Sequence, residues 1–219
     1  MALILALETA TTNCSVSISK NGEIIGLKED FNDNYSHSER LHCYIEEVLT
    51  DCNISLSDLD AIAVSKGPGS YTGLRIGVSA AKGLCMSLDI PLISLNTLES
   101  LVHQIEDDCD TIIPMLDARR MEVFSSVYSG DKVNIRKTQA EILDERSFSE
   151  YSNIGKIIFI GNGVRKYKEI CPYTNVEFLE KKQPSSKEMG PMAFAKFQKK
   201  EFEDVAYFEP YYLKDFILG

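Results

Sequence analysis

LDAIAVSKGPGSYTGLRIGVSAAKGL, residues 59 to 84, decides the fold. LDAIAVS reads as a buried strand, which breaks into a glycine-rich loop and restarts as a helix to about Leu88. The loop is not a standard phosphate binder. Counting from Gly67, the sixth position of a G-x-x-x-x-G-K-[ST] pattern is Thr72 and no lysine follows. Gly67, Gly69 and Gly73 miss the G-x-G-x-x-G fingerprint by one residue. The spacing favours a tight turn with close packing. The alternative is an anion site at the helix start, with Thr72 as N-cap and Arg75 adding charge.

The helix itself is apolar on more than one side. Leu74, Val78, Ala81, Cys85 and Leu88 form one stripe, and Gly73, Gly77, Ala80 and Leu84 an adjacent one. Only Arg75, Ser79 and Lys82 make a polar line, so the helix is expected to be covered on more than its sheet side. Glycine inside a helix costs about 0.5–1 kcal/mol relative to alanine. Gly77 and Gly83 therefore suggest that another backbone comes close, either from this chain's own first helix or from a partner.

Working outward, ALILALE and CSVSISK read as strands and EIIGLKED as a third, joined by the hairpin signal Asn21-Gly22. YSHSERLHCYIEEVLTDC reads as a helix with a capping box from Ser36 to Glu39. IPLISL is another strand, and Asn96 with Glu99 caps a helix to about Glu106. The second half repeats the plan: strands at TIIPMLDA, MEVFSSVYS and KVNIRKTQ with Gly130-Asp131 at the turn, a short helix at ILDERSFSEY, a strand at KIIFIG and a helix at VRKYKEIC. A last helix is expected in SSKEMGPMAFAKFQKK, its continuous part starting near Gly190 because Pro191 suits a first turn. The expectation is an α/β protein with duplicated β-β-β-α-β-α lobes, the second reduced. The first lobe is read as residues 1–106 with 191–219, the second as 107–190. By fold-level analogy this is the plan of actin, the sugar kinases and the heat-shock ATPases, which does not by itself give an activity.

The 219 residues are 44% hydrophobic and 26% charged, ordinary for a soluble globular protein. No run approaches a membrane span, and MALILALETA, lacking a basic n-region, reads as a strand rather than a signal peptide. Six scattered cysteines without a C-x-x-C pair read as reduced cytoplasmic thiols. The net charge of −10 lies in the first half: residues 1–110 hold 6 Lys and Arg against 17 Asp and Glu. Such a half repels a phosphate backbone, which argues against direct nucleic-acid binding there.

The histidines do not make a metal site. His37 and His42 are five apart, whereas a helical pair needs four, and His103 is the only other histidine. They read as solvent-facing or capping. Glu8 and Asp117 end corresponding strands. Paired, they could hold Mg²⁺ through water, or each could satisfy the N–H groups of its own turn. There is no G-x-S-x-G elbow and no Cys-His pair by spacing, hence no convincing catalytic set.

ETATTNCSVSI, HSERL, LDAIAVSKGPGSYTGLRIGVSAAKGL, IPLISLNTLESL and LDARRMEVF resemble, in order and spacing, the bacterial TsaB (YeaZ) family. The resemblance spans essentially the whole chain and is densest over residues 58 to 100. It implies an actin-like ATPase fold and a role as the non-catalytic dimerisation subunit beside TsaD, which transfers the threonylcarbamoyl group to the adenosine next to the tRNA anticodon. It also implies a TsaE-type ATPase as a further partner, self-association through the same surface, tRNA met only through the complex, no cofactor of its own, and any ATP and Mg²⁺ belonging to the complex.

The first two helices, Ser38 to Asp51 and Gly73 to Leu88, are implied to pack on matching TsaD helices as a four-helix bundle. The residues expected at that interface are Leu41, Tyr44, Ile45, Val48, Arg75, Ile76, Gly77, Ala80, Gly83 and Leu84. The first strand departs from the family's usual Asp-Thr-Ser, reading Glu8-Thr9-Ala10, so the resemblance carries no Mg-nucleotide geometry over to it. The competing expectation is an ATP-dependent small-molecule kinase or transferase of the same fold. It would use Glu8, Thr9, Gly67, Gly69, Ser70, Thr72 and Asp117 as its nucleotide or anion loop. A peptidase reading lacks a nucleophile and a metal set.

Overall fold

The structure, a computed structural model, describes residues 1–31 and 37–214. Ser36 of the expected capping box lies outside them. The chain divides into two compact units, Met1–Ser100 with Pro184–Tyr212, and Leu101–Gln183, which Leu213 and Lys214 join. The first two divisions fall before the positions read from the sequence, and the third, which gives Leu213 and Lys214 to the second unit, was not read there. Hydrogen bonds explain the second: Asn13 Nδ2 donates to Pro184 O at 2.9 Å and Ser17 Oγ to Ser186 O at 2.8 Å, so the segment ahead of the last helix belongs to the first unit.

The first unit contains strands β1 (Leu3–Glu8), β2 (Asn13–Lys20) and β3 (Glu23–Phe31), helix α1 (His37–Asp51), strand β4 (Ala61–Gly67), helix α2 (Tyr71–Leu88), strand β5 (Leu92–Asn96) and helix α3 (Thr97–Val102). Its sheet has the order β3-β2-β1-β4-β5. β1 pairs antiparallel with β2 and parallel with β4, with Leu5 opposite Ile18 and Ile62. The period-two pattern of β1 sorts its side chains. Leu5 and Leu7 face a core shared with α1 and α2, while Ile4 and Ala6 face a second core, built with the helix near the chain end, on the opposite side. The Asn21-Gly22 hairpin has both residues at positive φ, 53° and 89°, as a two-residue primed turn requires.

The second unit repeats this order: β6 (Thr111–Asp117), β7 (Glu122–Ser129), β8 (Asn134–Ile142), β9 (Ile157–Ile160), helix α4 (Val164–Lys168) and β10 (Val176–Leu179). The sheet order β10-β9-β6-β7-β8 is the order of the first sheet, strand for strand. This is the actin-like fold with its second copy reduced. The last helix, α5 (Met189–Lys199), covers the Ile4 and Ala6 face of the first sheet and has Pro191 in its first turn.

Several local expectations need correction. ILDERSFSEY forms only a single 3-10 turn at Ser149–Tyr151. Asp144 ties the chain ahead of it into a turn, its Oδ1 accepting from Arg146 N at 2.8 Å. The α4 segment is five residues long, with Pro172 closely following. Strand β10 was not anticipated, being four residues long and pairing parallel to β9. The helix capped by Asn96 ends at Val102, short of Glu106.

Candidate functional site

The glycine loop is folded onto the chain's own β1–β2 turn. Gly67 has φ +112°, a conformation that needs glycine, and a Cβ there would lie 2.9 Å from Tyr211 O. A Cβ on Gly69 would lie 2.5 Å from Ala10 O, and Ser70 N donates to that same oxygen at 2.7 Å. Ser70, not Thr72, caps α2: its Oγ accepts from Gly73 N at 3.3 Å. Thr72 is exposed in the first turn. The Ser70 and Gly73 N–H groups, which an anion at this helix start would use, are thus already bound within the chain. The tight-turn reading is the one the geometry carries.

The next glycines face the same turn. Thr9 Oγ1 donates to Gly73 O at 2.8 Å, a Cβ on Gly73 would overlap Thr9 O, and a Cβ on Gly77 would overlap Thr9 Oγ1. What comes close to Gly77 is therefore the Thr9 side chain, just past the end of β1, rather than the backbone of α1; the Thr9 backbone comes close to Gly73. Gly83 is different: it is exposed, and a Cβ there would meet nothing within 4 Å.

A third side of α2 is covered by the chain end, which the sequence did not suggest. Lys82 Nζ donates to Ala206 O at 3.1 Å and Phe208 O at 3.0 Å, and Val205 and Phe208 pack on the α1/α2 core. Tyr211 N donates to Lys66 O at 2.7 Å. The Tyr212 ring lies 4.9 Å from that of Tyr71, and the Arg75 guanidinium sits 5.4 Å from the Tyr71 ring centre. The tyrosines at 207, 211 and 212 were the available signal.

Both strand-end acids accept a backbone N–H two residues on in their own turns. Glu8 is fully buried; its Oε1 accepts from Ala10 N at 2.7 Å and its Oε2 has no partner among the described residues. Burial pushes its carboxyl up to about 7. The Ala10 N–H, the Ser65 hydroxyl and the Thr9 N–H pull the other way, and Glu188 adds to the rise. In the second unit, Asp117 Oδ1 accepts from Arg119 N at 2.6 Å and Oδ2 pairs with Lys166 Nζ at 3.1 Å. The local-turn alternative accounts for the Oδ1 contact, and the Oδ2 partner comes from α4.

His37 is buried, with Nε2 2.6 Å from Thr11 O, and burial holds its pKa below the usual value. This corrects the solvent-facing expectation for His37; His42 and His103 are exposed. Among the described residues no group of three or more His, Cys, Asp or Glu is placed to hold a metal ion, and no helix is long and apolar enough to cross a membrane. All six cysteines are free, and burial pushes the Cys14 thiol up to about 12 and Cys85 to about 11.

The sequence model of the family described as "TsaD: tRNA N6-adenosine threonylcarbamoyltransferase" matches residues 34–217. The chain belongs to this family, in its TsaB (YeaZ) branch. It is 27% identical over 220 residues to "tRNA threonylcarbamoyladenosine biosynthesis protein TsaB" of Escherichia coli (strain K12), covering 97% of this chain and 94% of that protein. The Bacillus subtilis (strain 168) protein of the same name is 37% identical over 130 residues, covering 57% of this chain and 54% of that one. Among solved structures, "YeaZ from Pseudomonas aeruginosa" has a TM-score of 0.86 at 25% identity, covering 97% of this chain and 100% of that chain.

Set on the fold, the ten residues expected at a TsaB-family interface divide in two. Leu41, Ile45 and Val48 are core residues packed among Leu5, Val16 and Ile62, and Gly77 is covered by Thr9. These four are structural and form no surface. Tyr44, Ile76, Ala80 and Leu84 are half-buried, while Arg75 and Gly83 are exposed. Arg40 holds the Tyr44 hydroxyl at 3.0 Å and pairs with Asp30. Met86, 74% exposed on α2, was missed; it lies near the Ser79 side of the helix rather than in the apolar stripes. On α1 the exposed residues are mostly polar, Glu39, His42, Glu46 and Glu47 among them, with Cys43 also exposed.

Proposed function

We propose that the chain is a non-catalytic subunit that docks on a TsaD-type threonylcarbamoyltransferase and supports formation of N6-threonylcarbamoyladenosine beside the tRNA anticodon. Family membership supplies the pathway, and the curated relatives are biosynthesis proteins for that nucleoside. One observation carries the docking site. The outer side of α2 presents Ile76, Ala80, Gly83 and Met86, small or apolar, with a glycine whose Cβ position is open. A helix face of this kind lets a second helix approach closely, and the acidic exposed residues of α1 give it a polar rim. A TsaE-type ATPase joins as a third subunit, a second copy of the chain competes for the same face, and tRNA is held by the other subunits, since the first half of this chain is acidic.

The test is co-purification with a purified TsaD-type subunit, followed by a transfer assay on unmodified tRNA. The complex should form with the native chain and be lost in Gly83→Arg and Ile76→Glu, both of which alter the outer side of α2. Transfer should need both subunits. A complex that tolerated both substitutions would remove α2 from the interface. Transfer by this chain alone would overturn the non-catalytic assignment.

A further inference from the structure

Residues 204–212 are tied down beside α2 by hydrogen bonds. Asp204 organises a turn: its Oδ1 accepts from Ala206 N at 2.9 Å and its backbone oxygen from Phe208 N at 2.8 Å. Lys82 then binds the carbonyl on either side of Tyr207, at Ala206 and Phe208. With Phe208 packed inward on the core, Tyr207 is left 84% exposed at the outside of a turn fixed from both flanks. Met86 stands one helical turn beyond Lys82 on the same side of α2, and its side chain is also turned outward. Two large side chains are thus presented to solvent on supports that cost the chain little further ordering on binding. Tyrosine, methionine and arginine are the residue types enriched in interface cores, and preorganised aromatics make the dominant anchors. Arg75, lying over Tyr71 with Tyr212 beside it, continues this patch along α2.

We propose that the C-terminal strap, Val205–Tyr212, extends the α2 docking face. Tyr207 and Met86 are its anchors, Lys82 is the residue that positions the strap, and the occupant is the TsaD-type subunit. This rests on the docking face proposed above and is continuous with it through α2. It assigns binding to a segment more than 100 residues away in sequence from the helix pair. Lys82 acts through the strap and touches no partner.

The test is calorimetric titration of the 219-residue chain with a purified TsaD-type subunit, using Tyr207→Ala, Met86→Ala, Lys82→Met and Gly83→Arg, with Ile142→Ala on the second sheet as control. Tyr207→Ala should weaken binding about tenfold or more, in the range of an aromatic hot spot, and Met86→Ala several-fold. Lys82→Met should weaken binding to a similar extent and, unlike Tyr207→Ala, raise amide exchange from Val205 to Phe208. Ile142→Ala should bind as the native chain does. If Gly83→Arg abolishes binding while Tyr207→Ala and Met86→Ala bind normally, the strap inference is overturned and the helix face stands. If Gly83→Arg binds normally while Tyr207→Ala weakens binding, the strap docks the partner and the helix face is withdrawn. If Tyr207→Ala alters only self-association of the chain, seen by light scattering, the occupant is a second copy and the inference is again overturned.

Discussion

Gly77 of α2 lies directly over Thr9, so close that a Cβ on the glycine would overlap the threonine Oγ1, while that same hydroxyl donates to Gly73 O. The end of β1 is thereby locked against the first two turns of α2. Gly77→Ala should therefore destabilise the fold. The helix gains about 0.5–1 kcal/mol of propensity from alanine, but overpacking costs about 1–3 kcal/mol and outweighs it. With Oγ1 removed, the nearest remaining Thr9 atom to the added methyl is Cβ at 3.4 Å. Thr9→Ala should accordingly recover part of the loss in the double variant. Urea unfolding of the two single variants and the double gives the coupling, and additive losses would show that the two residues do not interfere.

Gly83 gives the opposite sign. Its Cβ position is open and its φ is helical, so Gly83→Ala should stabilise the isolated chain by about 0.5–1 kcal/mol. The midpoint of urea unfolding should rise with an unchanged slope. A fall in the midpoint would mean that something in the folded chain already occupies that space.

The two glycines look alike in the sequence, and the difference between them explains what could be read there and what could not. Strands with period two, the Asn21-Gly22 turn and the helical stripes of α1 and α2 are local patterns, and they led to the correct element types and to the duplicated plan. The neighbour of Gly77 is Thr9, nearly seventy residues away, and no local pattern names it. The burial of Glu8 has the same origin. Segment 184–188 joins the first sheet through Asn13, Ser15 and Ser17, and Glu188 reaches the environment of Glu8 from there. Short elements were missed or overdrawn for a different reason. β10 has four residues, too few to show a period, and the helix read at VRKYKEIC shrinks to the five residues of α4. Of the candidate site, the exposed half of α2 was legible as excess apolarity. The strap was not: its tyrosines at 207, 211 and 212 were a compositional hint, but the Lys82 bonds to the Ala206 and Phe208 carbonyls that fix it beside α2 leave no side-chain signature.

Val48 shows how the division between core and surface alters an interface test. It is fully buried beside Val16 and Leu41, so Val48→Glu places an unpaired carboxylate in the core. The expected cost is about 3 kcal/mol or more, enough to unfold much of a marginally stable chain. Loss of the TsaD-type partner in that variant should accompany loss of the near-ultraviolet circular dichroism signal. Gly83→Arg should lose the partner with that signal intact. A well-folded Val48→Glu chain would contradict its placement in the core.

Glu8 makes the stability of the chain depend on pH in a direction unusual for a carboxylate. Its pKa rises from 4.5 to about 7 on folding, chiefly through burial, so the folded state holds the proton more tightly than the unfolded state. The unfolded chain then binds fewer protons across that interval, and stability falls as pH rises. The contribution is fully present below about 4.5 and is lost as pH climbs through about 7, a change on the order of 3 kcal/mol. Glu8→Gln keeps an acceptor for the Ala10 N–H and puts an amide donor where the protonated oxygen would be. Unfolding free energies at pH 5 should agree within about 1 kcal/mol between the native chain and the variant. At pH 8 the variant should be the more stable by up to about 3 kcal/mol. The difference between the two profiles cancels the remaining acidic groups. Parallel profiles from pH 5 to 8 would mean that Glu8 does not carry its proton into neutral solution.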